Sequence, residues 1–190
     1  MSQPELLKRV VDVLGRAGVD YAVTGSWASS LQGEPRSTHD IDIIVAMPAS
    51  AIMLLLATFR EPEFFLQEQS IRDAIRTGGM FNLLWVDQGD KVDFWMLKDE
   101  PFDRSRFARR RVIQVFGIDL SVTSPEDTIL AKLRWSKISG GSEKQFTDAL
   151  RVYELQQPNL DLPYIEQWVS RLGVEDEWRK IRDQSTARSD

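Results

Sequence analysis

Cysteine is missing from all 190 positions, and His39 is the only histidine. Without thiols there is no disulfide framework and no cysteine–histidine nucleophile pair. Zinc sites built from cysteines or from several histidines are excluded as well. Long apolar runs are also missing. Residues 46–59, the longest, are interrupted by Pro48, Ser50 and Thr58 and fall short of the roughly 20 residues that span a bilayer. The first ten residues carry Glu5, Lys8 and Arg9 with no secretory-signal core, so cytoplasmic residence and no membrane association are expected. Positive charge is not in excess: 24 Lys and Arg stand against 29 Asp and Glu, a net charge of −5. That balance argues against polyanion binding over the whole surface. Chemistry must then rest on carboxylates, hydroxyls, Lys, Arg and backbone dipoles. A metal, if used, should be a hard cation held by oxygen.

What is present is a globular composition, 42% hydrophobic and 28% charged. Leu6, Leu7, Val10, Val11 and Leu14 predict an amphipathic helix over 4–15. A short strand over 21–24, a Gly25-Ser26 turn and a helix over 26–32 stopped by Gly33 follow. After a loop at 35–38, residues 39–46 read as a β-branched strand. Helices are expected from about 50 to 59 and over 71–77. Strands at 80–86 and 91–97 flank Asp87-Gln88-Gly89-Asp90, a hairpin signal. A short basic helix at 102–110 precedes strands at 112–116 and 118–122, turning at Gly117. Ser124-Pro125-Glu126-Asp127 then opens a helix to about 138. Ser142 to Gln145 reads as a capping box for a helix to about 155. Two more helices, at 161–172 and 175–183, and a fraying tail at 184–190 complete the chain. The layout is α/β (α+β), with an α/β portion over 1–122 and a helical portion over 123–190 packed on it.

Two places carry chemistry. At Thr24-Gly25-Ser26, glycine permits close approach of backbone to ligand. The amides opening the next helix, with the Ser26 hydroxyl, would face an anion such as a phosphate. Gly-Ser turns are common, so this one alone makes no site. In Asp40-Ile41-Asp42-Ile43-Ile44-Val45, alternation puts both aspartates on one face and Ile41, Ile43 and Val45 on the other. Adjacent carboxylates repel, and a divalent cation removes that repulsion. An exposed edge strand with a polar end would show the same pattern. Asp93, inside the apolar strand 91–97, makes that reading less comfortable. If its strand lies beside the Asp40 strand, three carboxylates converge, as two-metal phosphoryl or nucleotidyl transfer requires, with ions about 3.5–4 Å apart.

The stretch Gly25-Ser26-x-Ala28-x4-Gly33-x2-Arg36-x-Thr38-x-Asp40-Ile41-Asp42, with Asp93 later, resembles the DNA polymerase β-like nucleotidyltransferase superfamily. It looks like the minimal bacterial branch that includes AbiEii-type toxins and MNT-type antitoxins. Ser124-Pro125-Glu126-Asp127, Ala131-Lys132-Leu133 and the Asp148 helix resemble the helical half of that branch, so the likeness spans about residues 5–155. It implies a small mixed β-sheet nucleotidyltransferase core flanked by helices, with a C-terminal helical portion. It also implies a nucleoside triphosphate donor, an acceptor hydroxyl and two magnesium ions, with manganese able to serve. Asp40 and Asp42 would hold the metals. Asp93 would complete one metal site and act as the base. Gly25 and Ser26 would hold the β- and γ-phosphates, while Arg36 and Thr38 would shape the nucleotide pocket. Lys132 would reach a phosphate, although a solvated lysine on an amphipathic helix fits equally well. The acceptor is open among a small molecule such as an aminoglycoside, an RNA end and a protein hydroxyl. A non-catalytic or regulatory member of a toxin–antitoxin pair is the alternative, against which the intact aspartates argue.

Other conspicuous residues fit a structural role. His39 should turn away from the carboxylate face. Arg104, Arg106, Arg109, Arg110 and Arg111 should spread around their helix, although RNA or a triphosphate would settle there first. Trp27, Trp85, Trp95, Trp135, Trp168 and Trp178 are scattered, and most should be core or helix-packing residues. A metal-dependent glycosyltransferase would need a nucleotide-binding half ahead of its D-x-D, and 39 residues precede Asp40. A haloacid-dehalogenase-like phosphatase would need threonine where Ile44 stands.

Overall fold

Helix α1 (Gln3–Arg16) buries Leu6, Leu7, Val10, Val13 and Leu14 along one stripe. Val13 takes the place expected for Val11. These residues belong to a computed structural model in which residues 2–186 are described. The chain divides into two compact units. One comprises residues up to Thr24 together with Ser37–Val122, and the other Gly25–Arg36 together with residues from Thr123 onward. The helical unit thus includes an early segment besides the 123–190 stretch.

The first unit is built on seven strands: β1 (Asp20–Thr24), β2 (Asp40–Ala46), β3 (Phe64–Phe65), β4 (Met80–Trp85), β5 (Asp90–Met96), β6 (Arg111–Val115) and β7 (Ile118–Val122). They form one mixed sheet of order β3-β4-β5-β2-β1-β7-β6. β2 with β5 and β1 with β7 are parallel, and the other pairs are antiparallel. Ile41, Ile43 and Val45 are buried on one face of β2, as alternation predicts. Ile44, on the aspartate face, is buried too, packed with Ala22 and Phe107. The polar face of β2 is therefore confined to its N-terminal half.

The same unit holds α3 (Ile52–Thr58), α4 (Glu68–Thr77) and α5 (Pro101–Ala108). A 3-10 turn at Ala49–Ala51 takes the first residues expected for α3. α4 begins three residues earlier than the spacing indicates, because its first turn is polar and shows no apolar period. β3 was not expected, since two residues carry no alternation and only pairing with β4 defines them. The basic segment is split: α5 ends at Ala108, and Arg111 lies in β6. Arg104 pairs with Asp99, Arg106 with Asp103 and Arg110 with Asp20. The five arginines therefore do not share one helix, and these three are paired with acids.

The second unit contains α2 (Gly25–Gln32), α6 (Pro125–Ile138), α7 (Glu143–Gln156), α8 (Leu162–Leu172) and α9 (Glu175–Thr186). Ser124 caps α6 by accepting from the Asp127 amide at 3.2 Å, as its sequence predicts. Ser142 makes no side-chain cap at α7, so the expected capping box does not form there. Gly33 ends α2 against α7. A Cβ on it would sit 2.9 Å from the Ser29 carbonyl oxygen and 3.0 Å from the Val152 amide nitrogen. α9 reaches Thr186, where a frayed tail was expected from 184, because Trp178 and Ile181 are buried. Residues 187–190 of that expectation lie outside the described residues. No helix among the described residues is long and apolar enough to cross a membrane.

Candidate active site

Strand register assembles the carboxylates. On the parallel pair β2 and β5, Asp42 stands opposite Asp93 and Asp40 opposite Lys91. Thr24 faces Asp42 from β1, and Asn82 faces Asp93 from β4. Thr24, Asp42, Asp93 and Asn82 therefore form one row across four strands, on one face. Asp93 is 6% exposed, and both its oxygens are engaged. Asn82 donates its amide to Oδ1 at 3.0 Å. Lys91 Nζ lies 2.9 Å from Oδ2 and 3.6 Å from Asp40 Oδ1. Trp95 donates its indole N–H to Asp42 Oδ1 at 3.1 Å. The hydrogen bond to Asp93, reinforced by the Asp93 and Asp40 charges, raises the Lys91 pKa above its ordinary value despite some desolvation. The lysine is held charged.

Asp40, Asp42 and Asp93 thus share a face, as their spacing indicates, but they do not close into a ligand cluster. Among the described residues no group of three or more His, Asp or Glu side chains is gathered to hold a metal ion. The Lys91 ammonium lies against two of the three carboxylates. The donor set itself suits a hard divalent cation, since it offers only carboxylate oxygen on rigid neighbouring strands. A cation at Asp93 Oδ2 would take the place of the ammonium.

Thr38 and His39 lie at the entrance to β2. The Thr38 hydroxyl donates to the Asp40 carbonyl at 3.2 Å, so it shapes the chain leading into the aspartate pair. His39 is exposed, with Nδ1 3.4 Å from Asp90 Oδ1.

The second unit carries a different cluster. Gly25, at the start of α2, has φ 63°, a left-handed conformation that favours glycine. Ser26 follows it and accepts a hydrogen bond from Arg36 Nη2 at 2.6 Å. Arg36 also donates through Nε and Nη2 to the two oxygens of Asp148, both at 2.8 Å, a bidentate pair. Lys132 Nζ adds a 2.7 Å bond to Asp148 Oδ2, and the Ser29 hydroxyl reaches the same oxygen at 3.4 Å. Lys132 is buried, which removes the solvated reading of this lysine. Burial alone would raise the Asp148 pKa, but the bonds from Arg36 and Lys132 outweigh it and lower the value. Two cations thus converge on one carboxylate beside the Ser26 hydroxyl.

Sequence reasoning did not single out Lys91, Asn82, Trp95 or Asp148 as functional. Lys91 was accessible to the argument used for Asp40 and Asp42, because period two puts it on the face of Asp93. Asp148 sits among Ala149, Leu150 and Val152 on the buried side of α7. A carboxylate in that position calls for a counter-charge.

The sequence pattern of the aminoglycoside-2''-adenylyltransferase family matches residues 6–64. No curated protein matches. Among solved structures, the antibiotic-resistance factor ANT(2'')-Ia is similar over 97% of this chain and 97% of its own, at 13% identity and a TM-score of 0.58. The lincosamide antibiotic adenylyltransferase LnuA, solved with lincomycin bound, is similar over 82% of this chain and 98% of its own, at 12% identity and a TM-score of 0.54. The fold is similar to that of these two proteins.

Proposed function

We propose that this protein transfers a nucleoside monophosphate, AMP in the first instance, from a nucleoside triphosphate to a hydroxyl of a small antibiotic-like acceptor. The observation that carries the reading is the register placing Asp42 opposite Asp93, with Asp40 on the same face. The family match over residues 6–64 supports the adenylyl donor and the aminoglycoside class of acceptor. It also favours antibiotic adenylyltransferases over the toxin–antitoxin branch to which the Gly25–Asp42 spacing is similar.

Asp40, Asp42 and Asp93 would hold magnesium, two ions in all, and manganese would serve in its place. When bound, the metal supplies positive charge to the triphosphate where negative charge develops in the transition state. Gly25 and Ser26 take the β- and γ-phosphates, Gly25 by permitting close approach and Ser26 through its hydroxyl. Arg36 and Lys132 contribute the positive charge that an anion of this kind requires. Thr38 shapes the chain next to Asp40. In the reaction the acceptor oxygen forms a bond to the α-phosphorus, and the bond from that phosphorus to the bridging oxygen breaks, releasing pyrophosphate. Asp93 accepts the acceptor's hydroxyl proton. Asn82, bound to the other oxygen of Asp93, fixes the carboxylate's orientation throughout.

The experiment is incubation with each labelled nucleoside triphosphate, magnesium and a panel of aminoglycosides, lincosamides and RNA, beside the Asp40→Ala/Asp42→Ala protein. Labelled aminoglycoside formed by the native protein alone is the expected result. Transfer that survives the double substitution refutes the mechanism. Absence of transfer to every acceptor overturns the assignment as an enzyme.

A further inference from the structure

Lys91 stands where the reading above needs a divalent cation. Its ammonium touches Asp93 Oδ2 and lies 3.6 Å from Asp40 Oδ1, two of the three carboxylates assigned to metal. Register enforces this, because Lys91 is directly opposite Asp40 and two residues before Asp93 on the same face. We infer that Lys91 is a built-in counter-ion that holds Asp40 and Asp93 together in the metal-free protein and competes with a divalent cation for Asp93 Oδ2. The inference rests on the nucleotidyltransferase reading, since it takes these aspartates as the metal ligands.

The physical case has three parts. Neighbouring carboxylates on one rigid sheet face repel one another. Asp93, nearly sealed from water, has little solvent to stabilise its charge and needs a partner. Lysine suits a temporary partnership, because its flexible stem lets the ammonium swing out to water. About a third of the Lys91 side chain is exposed, so that path is open. Asn82, by contrast, is neutral and bonds the other oxygen, so it can stay when a metal arrives. Ammonium and metal exclude each other at Oδ2, and the carboxylate keeps its orientation in either state. A displaced ammonium then requires a new anion, which a triphosphate arriving with the metal supplies.

The test is calorimetric titration of manganese into the native protein, Lys91→Met, Lys91→Arg and Asp42→Asn/Asp93→Asn, each confirmed folded by circular dichroism. Lys91→Gln serves as a second neutral variant. Removing one charge-assisted hydrogen bond should tighten manganese binding about tenfold in Lys91→Met. Lys91→Arg should stay near the native affinity, and the double aspartate variant should bind no manganese. Equal or weaker binding by Lys91→Met and Lys91→Gln overturns the role of Lys91 and leaves the metal assignment standing. No manganese binding by the native protein or by any Lys91 variant overturns the metal assignment, and Lys91's role falls with it.

Discussion

Asp148→Asn removes one negative charge from beneath two cations. In the native protein Asp148 receives both guanidinium bonds at 2.8 Å and the Lys132 bond at 2.7 Å. Lys132 is 5% exposed at its side chain and Arg36 26%, so neither charge is fully restored to water when the partner is lost. Breaking a buried ion pair by deleting one member costs about 3–5 kcal/mol. The partial exposure of Arg36 points to the lower end, about 3 kcal/mol. For a chain of this size that lowers the thermal midpoint by about 6–12 °C, readable by circular dichroism. Removing Lys132 as well, in Asp148→Asn/Lys132→Met, should recover part of the loss, because one stranded cation is gone.

Acid gives an independent check. The Asp148 pKa is depressed in the folded state, so its stabilising contribution is fully present above the unfolded value near 3.8. That contribution is lost as pH falls through the lower, folded value. The stability gap between native protein and Asp148→Asn should therefore be constant near neutrality and close in strong acid. The substitution also removes the bidentate acceptor that orients Arg36. A gap below about 1 kcal/mol at neutral pH, the size of an exposed pair, would refute the buried-cluster reasoning. So would a gap that does not close on acidification.

Gly33→Ala should destabilise the protein by about 1–3 kcal/mol, the usual cost of overpacking, because its Cβ meets backbone of Ser29 and Val152 at 2.9 and 3.0 Å. Chemical denaturation measures it, and an unchanged midpoint would mean that α2 moves away from α7 freely. Trp95→Phe removes the indole donor to Asp42 Oδ1 while keeping an aromatic ring. It should cost about 10–100-fold in metal affinity or turnover, as loss of a hydrogen bond that orients a ligand does. Native manganese affinity and rate in this variant would show that Asp42 is positioned by its strand alone.

Much of this site follows from short-range rules. Asp40 and Asp42 share a face because strand period is two, and Gly25-Ser26 falls where a strand gives way to a helix. The same rule reaches Lys91 from Asp93. The arrangement around Asp148 is not local, because its partners Arg36 and Lys132 lie 112 and 16 residues away. Nothing in the α7 sequence says which cations will meet it. β3 is similarly invisible, being a strand only by virtue of its pairing with β4.

The pairing of Asp42 with Asp93 depends on an alignment of two strands whose facing aspartates are some fifty residues apart, and aspartates alone would not choose it. Carboxylates side by side repel, so charge favours any register but this one. The apolar residues decide. Val92 and Phe94 are buried on the opposite face of β5, opposite Ile41 and Ile43, and Phe94 stacks on Phe81 at 4.6 Å between centroids. Sliding β5 by one residue would turn both to the aspartate face and drive Lys91, Asp93 and Trp95 into the apolar side. Full burial of such side chains is worth about 1.5–3 kcal/mol each, before the greater penalty of an unpaired buried charge. The slipped sheet therefore loses by more than carboxylate repulsion costs, especially once Lys91 offsets that repulsion. The carboxylate row is thus held in place by the hydrophobic residues behind it, and the lysine makes the arrangement tolerable by offsetting its charge.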